Sequence, residues 1–291
     1  MASLMLKRKN INYYKQLMRT DKPIGTLLLL WPTFWALWVA NEGVPAIDIT
    51  IIFALGVFLM RSAGCVINDY ADRHVDGAVK RTAMRPLASK LVSEKEALSL
   101  FCLLILTAFL LVLFLNWQTI LMSFGALALA MLYPFMKRFT YLPQFILGAA
   151  FSFAIPMAFM ASITTVPNVA WLLFAANLVW TVAYDTMYAM VDRDDDLEVG
   201  IKSTAILFGR ADRHIIGLLN ILFIALLLLV GRILYFDCIY WVALVFATAL
   251  LFYQQWLIHQ RDRDACFKAF LNNHYVGLIV FIAITSQYWL D

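Results

Sequence analysis

Charge is scarce in this sequence: Asp, Glu, Lys and Arg fill 14% of its 291 positions, where a soluble domain carries about 25%. Glycine and proline are also few, at 12 and 8 residues, which excludes a collagenous or low-complexity disordered chain. The four cysteines, Cys65, Cys102, Cys238 and Cys266, show no C-x-x-C spacing, so a disulfide scaffold is excluded and they read as packing residues. His74, His214, His259 and His274 are scattered without an H-x-x-x-H pattern, which argues against a zinc or haem centre. The formal charge of +4 is too small to imply a nucleic-acid partner. The basic first ten residues lead into a polar, amphipathic stretch over 11–22, so no removable signal peptide is expected.

What is present is apolar. Hydrophobic residues make up 63% of the chain, with 22 Phe and 9 Trp, and the mean hydropathy is +0.78. This composition predicts an all-α, polytopic membrane protein of one domain over 1–291. Apolar runs separated by polar breaks fall at 25–40, 47–67, 97–115, 119–136, 142–163, 169–191, 215–234, 238–258 and 270–289, and Pro32 is expected to kink the first. The connections alternate in basic content, with about 21 of the 23 Lys and Arg residues on one side of the predicted membrane. The positive-inside rule makes that side cytoplasmic, and nine spans then put the N-terminus inside. The longer loops, near 68–96 and 192–213, lie on the same side, so the functional face is expected there. Ser93 and Glu96 have the spacing of a capping box before the third span.

Two acidic clusters sit at span ends on that face. Asn68-Asp69-Tyr70-Ala71-Asp72-Arg73-His74-Val75-Asp76 places Asp69, Asp72 and Asp76 on one side of a helix, if the helix continues. Three carboxylates repel a phosphate unless a divalent cation intervenes, and Mg²⁺ favours oxygen ligands while sharing substrate phosphates. The second cluster runs from Tyr184-Asp185 to Asp192-Arg193-Asp194-Asp195-Asp196, with Asp185, Tyr188, Asp192 and Asp196 sharing a helical face. Both contain D-R-x-x-D, 120 residues apart, a weak sign of duplication. Either cluster alone could be a solvated face; two on one side point to a metal-bridged diphosphate site. Lys80, Arg81 and Arg85 follow the first cluster and can bind phosphate or simply anchor the loop. Arg61 lies about 10 Å of helix below Asn68, where an ionisable residue is a functional candidate. Tyr70, Tyr184 and Tyr188 are the aromatics that stand among the carboxylates.

On these residues the sequence resembles the UbiA-type intramembrane aromatic prenyltransferases, and within them the branch acting on 4-hydroxybenzoate. The likeness spans nearly the whole chain: Arg19 to Gly25, the N-D-x-x-D-x-x-x-D of Asn68 to Asp76, Arg85-Pro86-Leu87, Tyr133 to Arg138, Asp192 to Asp196, and Gly200 to Thr204. Val191 departs from it, since many relatives have lysine there. The resemblance implies nine helices around a central cavity open sideways to lipid, and transfer of a polyprenyl group, expected to be octaprenyl, from its diphosphate to the ring carbon ortho to the hydroxyl of 4-hydroxybenzoate. Asp69, Asp72, Asp76, Asp192 and Asp196 are then the expected Mg²⁺ ligands, and Asp185 or one of the motif aspartates the candidate for removing the ring proton. Asn68, Arg73, Lys80, Arg81, Arg85, Lys137, Tyr188, Arg61 and Arg138 are expected around the substrates. Arg138, supported by Lys137, is the first candidate for pairing the acceptor carboxylate, and Arg61 the second. A bacterial inner membrane is the expected setting, with no obligate protein partner evident. The rivals are a sibling enzyme using homogentisate or a naphthoate, and a transporter, which would place acids through the bilayer rather than at one face.

Overall fold

The computed structural model describes residues 6–78 and 82–289. Among them every regular element is helical, as expected where a bilayer offers no water to the backbone. A short helix α1 (Ile11–Leu17) precedes α2 (Ile24–Ala40), α3 (Ile47–Asp72), α4 (Glu94–Val112), α5 (Trp117–Met136), α6 (Pro143–Ser152) and α7 (Ala154–Ile163). There follow α8 (Asn168–Val199), α9 (Thr204–Phe208), α10 (Asp212–Ile233), α11 (Cys238–Leu257) and α12 (Arg263–Ser286). Among the described residues eight stretches are long and apolar enough to cross a membrane, α6 with α7 forming one and α9 with α10 another; α2, at 17 residues, is a shorter ninth. These are the nine runs of the hydropathy pattern.

Three boundaries differ from that pattern, each for a physical reason. Helix α3 continues past residue 67 to Asp72, and α8 continues past 191 to Val199. Hydropathy falls where the acidic motifs begin, but a helix persists when its polar side chains find partners. The run 142–163 is two helices meeting at Phe153. Pro156 lacks an N–H and its ring conflicts with the Ser152 carbonyl four residues earlier, so the first helix ends there.

Helix α8 is the central element and packs against α2, α6, α10 and α12. Trp180 is fully buried, stacks on Phe223 of α10 at 5.4 Å and Trp35 of α2 at 5.6 Å, and donates to Asn273 of α12 at 2.9 Å. Trp35 donates to the Gly277 carbonyl at 3.0 Å, so these polar edges are satisfied inside the apolar core. Helix α1 docks through buried Tyr14 and Leu17 on the cluster containing Ala63, Val66 and Leu100. The Ser93–Glu96 capping box is formed, and Glu96 also accepts from Tyr14 at 2.7 Å and Asn10 at 2.8 Å. The N-terminal segment is thereby fixed beside the mouth of the bundle. The four cysteines are free, with Cys65 and Cys266 buried.

Candidate active site

A cavity of about 1360 Å³ runs down the bundle from the acidic end. Its body is apolar, lined by side chains such as Phe53, Phe109, Phe124 and Leu127, while its mouth gathers Arg19, Lys22, Asp69, Asp72, Asp76, Arg85, Lys137, Asp185, Asp192, Asp196 and Lys202. Both acidic motifs therefore open into one space, although 120 residues separate their D-R-x-x-D signatures. Helices α4 and α5 both contribute wall but pack little on each other.

Within the first motif the aspartates have different surroundings. Helix α3 ends at Asp72, and after a turn Asp76 opens a short 3₁₀ segment. The three aspartates thus share the cavity wall without sharing one continuous helix. Asp69, 1% exposed, receives the Nη2 of Arg19 at both carboxylate oxygens, at 2.8 and 2.9 Å, and pairs with Arg85 at 3.0 Å. Arg85 also donates to Asp76 at 2.9 Å. Asp72 bonds Lys137 through one carboxylate oxygen, while the other, Oδ1, is buried and has no hydrogen-bond partner. Lys137 also reaches Asn68 at 3.5 Å. Burial lifts the Asp76 carboxyl to about 6, reinforced by Asp72 and Asp69 and opposed by Arg85.

The second motif lies on an unbroken helix, so its spacing works directly: Asp185, Tyr188, Asp192 and Asp196 all face the cavity. Gly200 ends α8 in the left-handed region, at φ 73°. The segment after it is docked by a Lys202 N–H bond to the Lys137 carbonyl at 3.0 Å and a Thr204 N–H bond to Gln144 at 3.1 Å. This docking brings Lys202 to the mouth. Arg61 lies deeper, faces Tyr133, Tyr184 and Tyr188, and donates to Cys65. Gly25 creates its berth: a Cβ at that position would stand 2.4 Å from the Arg61 Nη2.

Two expected substrate residues are engaged elsewhere. Arg138 donates to the Ala71 carbonyl and is not part of the cavity wall, so it ties α5 to the end of α3. Arg73 pairs with Glu94 at 3.0 Å and lies over its own Tyr70 ring, also off the cavity. Lys80 and Arg81 lie outside the described residues. Sequence reading assigned no site role to Arg19, Lys22, Gly25, Tyr133 or Lys202, which the fold brings to the wall. Arg19 stood in one of the segments that carry the family likeness, but in a basic amphipathic stretch that also describes a membrane anchor.

Among the described residues no three carboxyl, thiol or imidazole side chains form a ready metal cage. Mg²⁺ is usually held by one or two carboxylates together with substrate phosphates, so a split site is compatible with it. The donors fit: all are oxygens, and Asp72, on the cavity wall, has a buried oxygen without a hydrogen-bond partner.

A membrane-spanning bundle with a deep cavity, charged at the mouth and apolar below, defines an intramembrane enzyme for a molecule with an anionic head and a lipid tail. The chain belongs to the UbiA prenyltransferase family, whose sequence profile matches residues 29–282. It is 67% identical over 283 residues to the 4-hydroxybenzoate octaprenyltransferase of Pseudoalteromonas translucida (strain TAC 125), covering 97% of each chain. To the enzyme of the same name from Cronobacter sakazakii (strain ATCC BAA-894) it is 61% identical, over 97% of this chain and 98% of that one. The fold is similar to the apo structure of a UbiA homolog from Aeropyrum pernix K1, with TM-score 0.79 and 24% identity over 89% of this chain and 97% of that one. It is also similar to a UbiA homolog from Archaeoglobus fulgidus bound to GPP and Mg²⁺, with TM-score 0.71 and 17% identity over 94% and 99%.

Proposed function

We propose that this chain transfers an octaprenyl group from octaprenyl diphosphate to the ring carbon ortho to the hydroxyl of 4-hydroxybenzoate, releasing diphosphate, as a step of ubiquinone biosynthesis in a bacterial inner membrane. The single observation carrying this reading is the convergence of both acidic motifs and a set of cations on one apolar-bodied cavity, in a chain so similar to enzymes of that name. Asp72, Asp76, Asp192 and Asp196 would hold Mg²⁺, which supplies charge neutralisation to the departing diphosphate. Asp69 is better suited to orienting Arg19 and Arg85 than to binding metal, because the Arg19 Nη2 already contacts both its oxygens and Arg85 one of them. Arg19, Arg85, Lys137 and Lys202 bring positive charge to the mouth, where leaving-group charge develops. The apolar wall below excludes water from the allylic cation formed as the C–O bond breaks. The acceptor ring then supplies the electron pair for the new C–C bond, and its ring proton must leave to restore aromaticity. Asp185, with Tyr133 and Tyr184 nearby, is the candidate base.

Arg61 replaces Arg138 as first candidate for pairing the acceptor carboxylate, since it reaches the cavity wall and Arg138 does not. The deciding assay incubates purified protein with Mg²⁺, octaprenyl diphosphate and each of 4-hydroxybenzoate, homogentisate and a naphthoate, with products identified by mass. A prenylated homogentisate or naphthoate in place of prenylated 4-hydroxybenzoate would reassign the acceptor; no prenylated product would remove the reading.

The basic asymmetry supports a cytoplasmic mouth. Single cysteines at exposed positions near Ser89 or Ser203 of a cysteine-free version are expected to resist an impermeant maleimide in intact cells, while one near Asn116 labels. Reversed labelling would move the site to the outer face.

A further inference from the structure

We infer that three arginines outside the cavity, Arg193, Arg261 and Arg263, are positioning residues that hold the second acidic motif in place. The inference rests on the proposed role of Asp192 and Asp196 in binding a metal diphosphate. Helix α8 has 32 residues, about 48 Å at a rise of 1.5 Å per residue, so its acidic end extends well beyond a hydrocarbon core of about 30 Å. That end is unfavourable by itself. Asp192, Asp194, Asp195, Asp196 and Glu198 crowd its last turns, where they repel one another and the partial negative charge of a helix C-terminus.

Cations on the side away from the cavity offset this. Asp212, the first residue of α10, is fully buried and receives Arg261 at 2.7 Å, Arg193 at 3.1 Å and the Arg213 N–H at 2.7 Å. Arg263, the first residue of α12, pairs with Asp195 at 2.8 Å. The loop between α11 and α12 is itself strapped down: Arg261, in the left-handed region at φ 58°, also reaches the Arg210 carbonyl at 2.9 Å, and Arg213 reaches that of His259 at 2.7 Å. The end of α8 is thus tied to the starts of α10 and α12. The first motif has a looser counterpart, with Arg73 turned from the cavity to Glu94 at the start of α4. In both motifs the aspartates of D-R-x-x-D face the cavity while the arginine grips the next long helix.

Arg261→Gln and Arg263→Gln, made in the full chain and purified in detergent, test this by three readouts. Hydrogen exchange of the amides over 192–199 is expected to accelerate while α2 and α3 keep their protection. Binding of Mg²⁺ with inorganic diphosphate, followed by calorimetry, is expected to weaken by about 10- to 100-fold, the range for residues that orient metal ligands. Acceptor KM is expected to stay unchanged, and Arg261→Lys to recover part of the binding. Should Arg261→Gln fail to fold because buried Asp212 then keeps Arg193 as its one cationic side chain, the double variant Asp212→Asn/Arg261→Gln removes both charges and carries the same readouts. Unaltered exchange and binding in both the 261 and 263 variants would overturn the inference, and so would loss of protection across the whole bundle. Failure of the underlying reading looks different: Asp192→Asn/Asp196→Asn would then bind Mg²⁺ and diphosphate as tightly as the unaltered protein, and both would fall.

Discussion

Asp72→Asn is expected to lower turnover by about 10²- to 10³-fold or more, the size of effect seen when one group stabilising developing charge is removed. Asp72 combines a buried unpartnered oxygen with a second oxygen held by Lys137, so its loss removes a donor and frees a cation together. Asp196→Asn in the second motif should behave alike, with thermal unfolding in detergent little changed. The metal requirement should depend on pH with a defined sign. Asp76 is lifted to about 6 by burial, so below that pH the carboxyl holds a proton that a cation must displace. Half-saturating Mg²⁺ is therefore expected to rise as pH falls from 7 to 5, by up to about tenfold per unit below 6, and to flatten in Asp76→Asn. A rate that survives EDTA would contradict both expectations.

Arg61→Ala should raise the KM for 4-hydroxybenzoate by about a hundredfold or more while leaving that for octaprenyl diphosphate nearly constant. An acceptor carboxylate entering a water-poor cavity without its partner is an uncompensated buried charge, at a cost of about 3–5 kcal/mol. Gly25→Ala should act in the same direction without touching the arginine, because the added methyl would stand 2.4 Å from Nη2 and 2.8 Å from Nε of Arg61. The guanidinium must move, and a displaced fork no longer meets a carboxylate with two bonds. Arg138→Ala, which removes only a tie to the Ala71 carbonyl, should leave acceptor KM close to normal. The comparison is to be run with 4-hydroxybenzoate and a neutral phenol of similar size. Equal losses on both acceptors in Arg61→Ala would exclude it from carboxylate recognition.

How much of the site was legible depended on the backbone around each residue. Asp185, Tyr188, Asp192 and Asp196 could be assigned to one face because α8 is unbroken and the helical repeat applies directly. The same argument was weaker for Asp69, Asp72 and Asp76, since α3 stops at Asp72 and the chain turns before Asp76. Arg61 announced itself by the cost of a cation inside an apolar span. Arg19 and Arg138 could not be sorted in this way: both stand in basic stretches at the membrane face, and only their partners distinguish the ion pair with Asp69 from the tie to Ala71.

By itself the sequence determined the all-helical membrane bundle, its nine apolar runs and the two acidic motifs, because hydropathy and helical periodicity are properties of neighbours along the chain. The tertiary structure decided which charges meet. It turned Arg19 onto Asp69, Arg73 onto Glu94 and Arg261 onto Asp212, and gave Arg61 the space left by Gly25. Such pairings depend on distances between residues as many as 50 positions apart, which only the packing of one helix against another sets.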